Sequence, residues 1–279
     1  MTPAHTLPRA LALATALLAG AAQADTTLGS TDFAFTGANG NTTVGGWSFV
    51  SFVDITAGTT IYFTDTNVLQ TTPSAGVFST TAETFWSWTA SADVAAGTSV
   101  ALLGTGVSGQ YAARSGAAGG TPNGTVLNLN GGASNLSSGG DILYAFQAAS
   151  YATNYQPGAI TFLGAISNRG SYTTSDNPFT ATGLAGIQVR EYKIDANTAT
   201  RYTQFTAQVS TDDTPFATLD ELRNALAQGS SWTTVAASNS LPIVSDVLVS
   251  PVPEPAQQGL MLAGLGLLGL WMGRRRTQR

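Results

Sequence analysis

Thr60-Ile61-Tyr62-Phe63-Thr64 and Thr84-Phe85-Trp86-Ser87-Trp88-Thr89 are the two stretches that decide the fold class. Both are short and rich in β-branched and aromatic residues, which suit a pleated strand and lose rotamer freedom in a helix. In the second, Trp86 and Trp88 stand two apart, so a strand puts both on one face. In the first, Ile61, Tyr62 and Phe63 are consecutive, the pattern of a strand covered on both faces. Comparable runs occupy residues 33–36, 47–55, 99–103, 126–129, 141–146, 160–166, 187–192 and 202–205, separated by Gly, Asn, Asp and Ser. The chain is predicted to be all-β. Uneven strand lengths and spacings fit an antiparallel β-sandwich better than a closed barrel.

Local patterns refine this outline. Asp54-Ile55-Thr56-Ala57-Gly58-Thr59-Thr60-Ile61 is echoed by Asp93-Val94-Ala95-Ala96-Gly97-Thr98-Ser99-Val100. Each copy reads as a turn that launches a strand, with glycine supplying a conformation other residues avoid. Thr218-Leu219-Asp220-Glu221 is a capping box, and Leu219, Leu222 and Leu226 follow at helical spacing before Gly229. That predicts one short helix, capping an end of the sandwich. The glycine-rich stretches 104–124 and 130–140 read as mobile surface loops, and residues 239–251 as an extended linker.

The two ends of the 279-residue chain have a different character. Residues 1–24 read as a signal peptide: a short start with Arg9, an apolar run too short to span a membrane, and Ala22-Gln23-Ala24 before Asp25. His5, the chain's single histidine, lies within it. At the other end, Val252-Pro253-Glu254-Pro255 is followed by uncharged residues 256–273 and then Arg274-Arg275-Arg276. As a helix, 256–273 would measure roughly 27 Å, close to a bilayer's hydrocarbon thickness. The arginines would stay on the cytoplasmic side. A transmembrane helix is predicted there. Between the two ends, residues 25–255 hold six basic and sixteen acidic side chains, a net charge of −10. Such a balance excludes a basic nucleic-acid surface. Cysteine is absent, which removes thiol chemistry, disulfides and cysteine metal sites.

The Pro-Glu-Pro element Val252 to Pro255, the glycine- and leucine-rich helix and the arginine cluster Arg274 to Arg276 together resemble a PEP-CTERM sorting signal. The resemblance implies a substrate of exosortase, a membrane-embedded cysteine transpeptidase of Gram-negative bacteria. It implies anchoring in the inner membrane, recognition around Pro253-Glu254-Pro255 and removal of the helix. The product would then reside at the cell surface, in the outer membrane or in extracellular matrix, in contact with biofilm exopolysaccharide. Residues 53–65, 139–146 and 162–166 also resemble exported lamin-tail-like β-sandwich domains, a likeness that bears on fold alone. The expected organisation is thus a signal peptide (1–24), a β-sandwich (25–238), a linker (239–251) and the sorting segment (252–279).

Catalytic sets are sparse. Without a histidine after the leader no Ser-His-Asp triad can form. Lys193 is the single lysine, and its alternating surroundings read as a solvated strand face. Asp54, Asp65, Glu83, Asp93 and Asp141 could in principle pair as a hydrolase's two carboxylates, although aspartate beside Gly, Asn or Thr is ordinary turn chemistry. Calcium is the most plausible ion, with Asp212 and Asp213, Asp65-Thr66-Asn67 or Asp176-Asn177 as oxygen ligands; no cofactor is otherwise expected. Tyr151 and Tyr155 are the sugar-stacking candidates, and Trp88, on a strand, reads as core. The expectation is a non-catalytic structural or adhesive surface protein. A carbohydrate-binding module and an Asp/Glu-dependent hydrolase are the alternatives.

Overall fold

The computed structural model describes residues 24–40, 45–68, 77–78, 83–116, 120–131, 136, 141–152, 155–156, 158–168, 181–191, 202–206, 216–235 and 249. The chain divides into two units, residues 1–249 and 250–279. The first is a β-sandwich, and the second lies outside the described residues. So does the expected transmembrane helix at 256–273; among the described residues no helix is long and apolar enough to cross a membrane.

The strands are β1 (Phe33–Asn39), β2 (Gly46–Ser51), β3 (Thr60–Thr64), β4 (Phe85–Thr89), β5 (Ser99–Gly104), β6 (Tyr111–Ser115), β7 (Thr121–Pro122), β8 (Thr125–Asn128), β9 (Ile142–Ala148), β10 (Ile160–Ser167), β11 (Val189–Glu191), β12 (Tyr202–Phe205) and β13 (Trp232–Val235). They form a seven-stranded sheet in the order β13-β12-β1-β2-β5-β6-β7 and a six-stranded sheet in the order β11-β10-β9-β3-β4-β8. Pairing is antiparallel except between β10 and β11, which run parallel at the edge of the second sheet. The stretch predicted as a loop at 104–124 contains β6 and β7. Its signal was present: Tyr111 and Ala113 point inward while Ala112 and Arg114 face solvent, a period of two masked by flanking glycines.

Consecutive apolar residues are explained by burial on both faces of each sheet. Phe33, Phe35, Trp47 and Phe49 from one sheet meet Ile61, Phe63, Trp86 and Trp88 from the other in the central layer. Phe49 contacts Trp88 at a 5.4 Å ring separation, and Trp47 contacts Trp86 at 5.3 Å. The intervening residues turn outward into two further apolar layers. Phe85, Tyr144, Phe146 and Phe162 pack outside the six-stranded sheet with Phe78 and Tyr155. Ala34, Val50, Phe52 and Phe205 lie outside the seven-stranded sheet, under Leu222 and Leu226 of the helix α1 (Leu219–Ala227). The helix therefore covers an outer face, rather than an end as the sequence suggested. Its cap forms as predicted on one side: Thr218 Oγ1 accepts the Glu221 N–H at 3.1 Å. Glu221 Oε2 accepts from Ala217 N at 2.9 Å, one residue upstream of the expected partner.

Two bulges shape the sheets. Thr36 of β1 and Leu163 of β10 are each skipped in the register, between Phe35/Gly37 and Phe162/Gly164. At both places the following glycine makes room: a Cβ on Gly164 would lie 2.8 Å from the Phe33 ring, and one on Gly37 2.6 Å from Gln204 Oε1.

The echoed octapeptides form a reciprocal clasp between the sheets. One carries the chain from β2 to β3, the other from β4 to β5, so each crosses from sheet to sheet. Ile55 and Val94 exchange both backbone hydrogen bonds, at 2.9 and 2.8 Å. Asp54 Oδ1 accepts from Ala96 N at 2.7 Å, and Asp93 Oδ1 accepts from Ala57 N at 2.8 Å. Gly58 and Gly97 hold positive φ of 95° and 81°. The expectation of two equivalent strand entries is met, and the two turns also bind each other. Val249, within the predicted linker, bridges Phe216 in parallel and packs on the helix layer, so the fold extends at least that far.

Candidate functional site

Three carboxylates meet at one end of the six-stranded sheet, and strand order explains why. β3 is antiparallel to both neighbours, β4 and β9, so its C-terminal end lies beside their beginnings. Asp65 follows β3, Glu83 precedes β4 and Asp141 precedes β9. Each offers a ligand oxygen, and these atoms all lie within 4.8 Å of one another.

The three differ in surroundings. Asp65 is 2% exposed and Asp141 8%, while Glu83 faces solvent. Asp65 Oδ1 accepts the Thr84 N–H at 2.8 Å. Its Oδ2 is buried and has no hydrogen-bond partner. Burial first, then the negative charges of Asp141 and Glu83, push the Asp65 carboxyl up to about 8, against the pull of the Thr84 N–H. The Asp141 backbone is pinned by Asn168: Asp141 N donates to Asn168 Oδ1 at 2.6 Å, and Asp141 O accepts from Asn168 N at 3.2 Å. Asp141 Oδ1 accepts from Ile142 N at 2.9 Å. From the opposite sheet Tyr111 closes the end. Burial, with Asp65 and Asp141 nearby, raises its phenol well above the usual range. Tyr111 packs on Trp47 at 4.6 Å, whose buried Nε1 has no partner. Three carboxylate oxygens at this spacing are a group that could hold a metal ion.

The sequence had proposed Asp65, Glu83 and Asp141 as hydrolase carboxylates and Asp65-Thr66-Asn67 as calcium ligands. The structure unites the three acids, and sets Asp54 and Asp93 apart on the clasp. Asp212, Asp213, Asp176 and Lys193 lie outside the described residues, as do Ala22, the sorting residues Val252 to Pro255 and Arg274 to Arg276. Of the sugar-stacking candidates, Tyr155 is a core aromatic. Its ring packs on Phe146 at 5.5 Å, and its hydroxyl accepts from Ala152 N and donates to Ser150 O. That burial removes it as a platform. Tyr151 is half-buried edge-on against Phe85, with its hydroxyl turned inward. Trp88 is fully buried, as expected, and so is Trp86.

A separate open cleft of about 430 Å³ runs beside β3 and β10, lined by Thr26, Thr60, Tyr62, Gln147, Ile160 and Thr161 among others. Gln147 builds one wall. Its Oε1 accepts from Leu28 N at 2.7 Å, and its Nε2 donates to Thr26 O and Thr60 O. Thr26 in turn receives Thr56 N on its hydroxyl and donates its own N–H to Thr59 Oγ1. The segment just after the predicted leader is thus stitched into the first clasp turn.

Among known families, residues 251–276 match the PEP-CTERM protein-sorting motif. The chain carries a PEP-CTERM sorting signal. The matched span contains Pro253-Glu254-Pro255, the apolar run and Arg274-Arg275-Arg276, the residues that carried the resemblance. A PEP-CTERM signal implies export, membrane anchoring during sorting and processing by an exosortase-type system. Neither curated proteins nor solved structures give a match, so the lamin-tail-like resemblance is not confirmed.

Proposed function

We propose that this chain is an exported, non-catalytic surface or matrix protein, whose acidic β-sandwich serves a structural or adhesive role in exopolysaccharide or biofilm. The PEP-CTERM signal at 251–276 carries this reading. Three further features support it. Residues 25–255 contain neither histidine nor cysteine. Asp54 and Asp93 are occupied as turn caps. Asp65 and Asp141 are buried, where a sugar ring would not fit between them. The leader is cleaved after Ala24, and the docking of Thr26 directly beyond that point is consistent with Asp25 as the first mature residue. Intact mass of the protein recovered from the cell surface tests the reading. The expected mass begins at Asp25 and lacks the segment beyond the Pro-Glu-Pro element, plus any attached sugar. A cytoplasmic protein retaining Met1 and Arg279 would refute it.

The cleft beside Tyr62 favours a second reading, a sugar-binding module. Its threonines and one half-buried aromatic could take a polysaccharide chain. Native gel electrophoresis with the cell's own exopolysaccharide would show retardation that Tyr62→Ala relieves. Equal mobility with and without the polysaccharide would leave the structural role alone.

A further inference from the structure

We infer that Asp65, Glu83 and Asp141 bind a divalent cation of calcium's character at the end of the six-stranded sheet, and that this ion locks β3, β4 and β9 together. The spacing of the donor atoms carries the inference. Calcium–oxygen bonds run about 2.3–2.6 Å, so two ligands on opposite sides of one ion stand roughly 5 Å apart. The three carboxylate oxygens all fall within 4.8 Å of one another, so a single ion can reach all three.

A second and independent observation is the state of Asp65. A buried polar atom without a partner is rare, because its desolvation goes uncompensated. Asp65 Oδ2 is such an atom: the residue is 2% exposed, Oδ1 accepts from Thr84 N, and the buried Oδ2 has no hydrogen-bond partner. Among the described residues the charged groups acting on it are Asp141 and Glu83, both of its own sign. A divalent cation removes both defects at once, supplying a partner for Oδ2 and cancelling the repulsion. The exposed Glu83 gives the ion a route in from solvent. Asn130 fixes the approach to β4, its Nδ2 donating to Glu83 O and its Oδ1 accepting from Phe85 N. The rival arrangement is a proton shared between the Asp65 and Asp141 carboxyls, which would need no metal.

The test is thermal unfolding of the purified full-length chain, stripped of metal with a chelator and then titrated with calcium chloride. At a hundredfold excess over the dissociation constant, Tm should rise by roughly 5–10 °C. Asp65→Asn should abolish the rise while melting no lower than the metal-free wild type, since the amide can donate to the neighbouring carboxylates. Glu83→Gln, on the surface and harmless to folding, should weaken calcium at least tenfold. Terbium added as a calcium surrogate should emit on excitation of the protein's tryptophans, and both variants should lose that emission. No Tm change and no terbium emission in the wild type would overturn the site in favour of the shared proton. A calcium response undiminished in both variants would overturn it equally, by placing the ion elsewhere.

Discussion

Asp65 shows how one side chain can set a solution property of the whole molecule. An unfolded aspartate titrates near 3.9, whereas burial and two acidic neighbours push this one to about 8. Between those values the folded chain keeps a proton that the unfolded chain has released. Rising pH therefore favours unfolding. In the metal-free protein the contribution of Asp65 is complete below about pH 4 and is lost as pH climbs toward 8, at no more than about 1.4 kcal/mol per pH unit. Asp141, Glu83 and Tyr111 are the ionisable groups that face it. Urea unfolding at pH 5 and pH 7.5 should show lower stability at the higher pH, and Asp65→Asn should flatten the difference. An equal loss in wild type and variant would locate the titrating group elsewhere. At this scale the sequence had named Asp65, Glu83 and Asp141 as candidate carboxylates, and the structure brings them together. Asp65, Glu83 and Asp141 lie far apart in the chain, and their meeting depends on antiparallel pairing of β3 with β4 and β9.

Among the elements, the clasp is where a repeat in sequence becomes a device in space. Asp54 and Asp93 each cap the other's turn, so neither turn is complete alone. A charged hydrogen bond to backbone at an exposed site stabilises by about 1–2 kcal/mol. Asp54→Ala and Asp93→Ala should each cost about that much in urea unfolding. The double variant should cost less than the sum, because the two caps support one structure; strict additivity would mean that the turns are independent. The helix obeys simpler rules. Thr218→Ala removes the N-cap acceptor and should cost about 1 kcal/mol, whereas Leu222→Ala uncovers Ala34, Val50 and Phe52 and should cost about 2–5 kcal/mol. The capping box and leucine spacing made the helix visible in the sequence. Its docking site was not visible, because an amphipathic stripe reports that a face is buried and not against what.

Across the molecule, the sandwich and the sorting segment form separate units that meet in sequence after Val249. Val249 crowds Gly97 of the second clasp turn, where an added Cβ would run into its side chain, as one on Gly58 of the first turn would run into Asp25.

 Thr26 is held by the first turn through its N–H and its side chain, so both ends of the sandwich are fastened at the clasp. Ending the chain after Pro255, as processing would, should leave Tm unchanged. Ending it after Asp246 removes Val249 and should lower Tm, by roughly 2–4 °C for each kcal/mol lost. A fall in both, measured by calorimetry, would make the sorting segment part of the fold. By itself the sequence determined the all-β class, most strands, the one described α-helix, the turn repeat and the sorting signal. These rest on local facts: periodicity, β-branched and aromatic composition, capping chemistry and a short linear motif. Only the tertiary structure decided the strand order, the parallel edge pair, what covers each outer face and the carboxylate cluster. Each of these depends on which distant strands become neighbours, and that choice is made by packing free energy summed over the whole core rather than by any one stretch of residues.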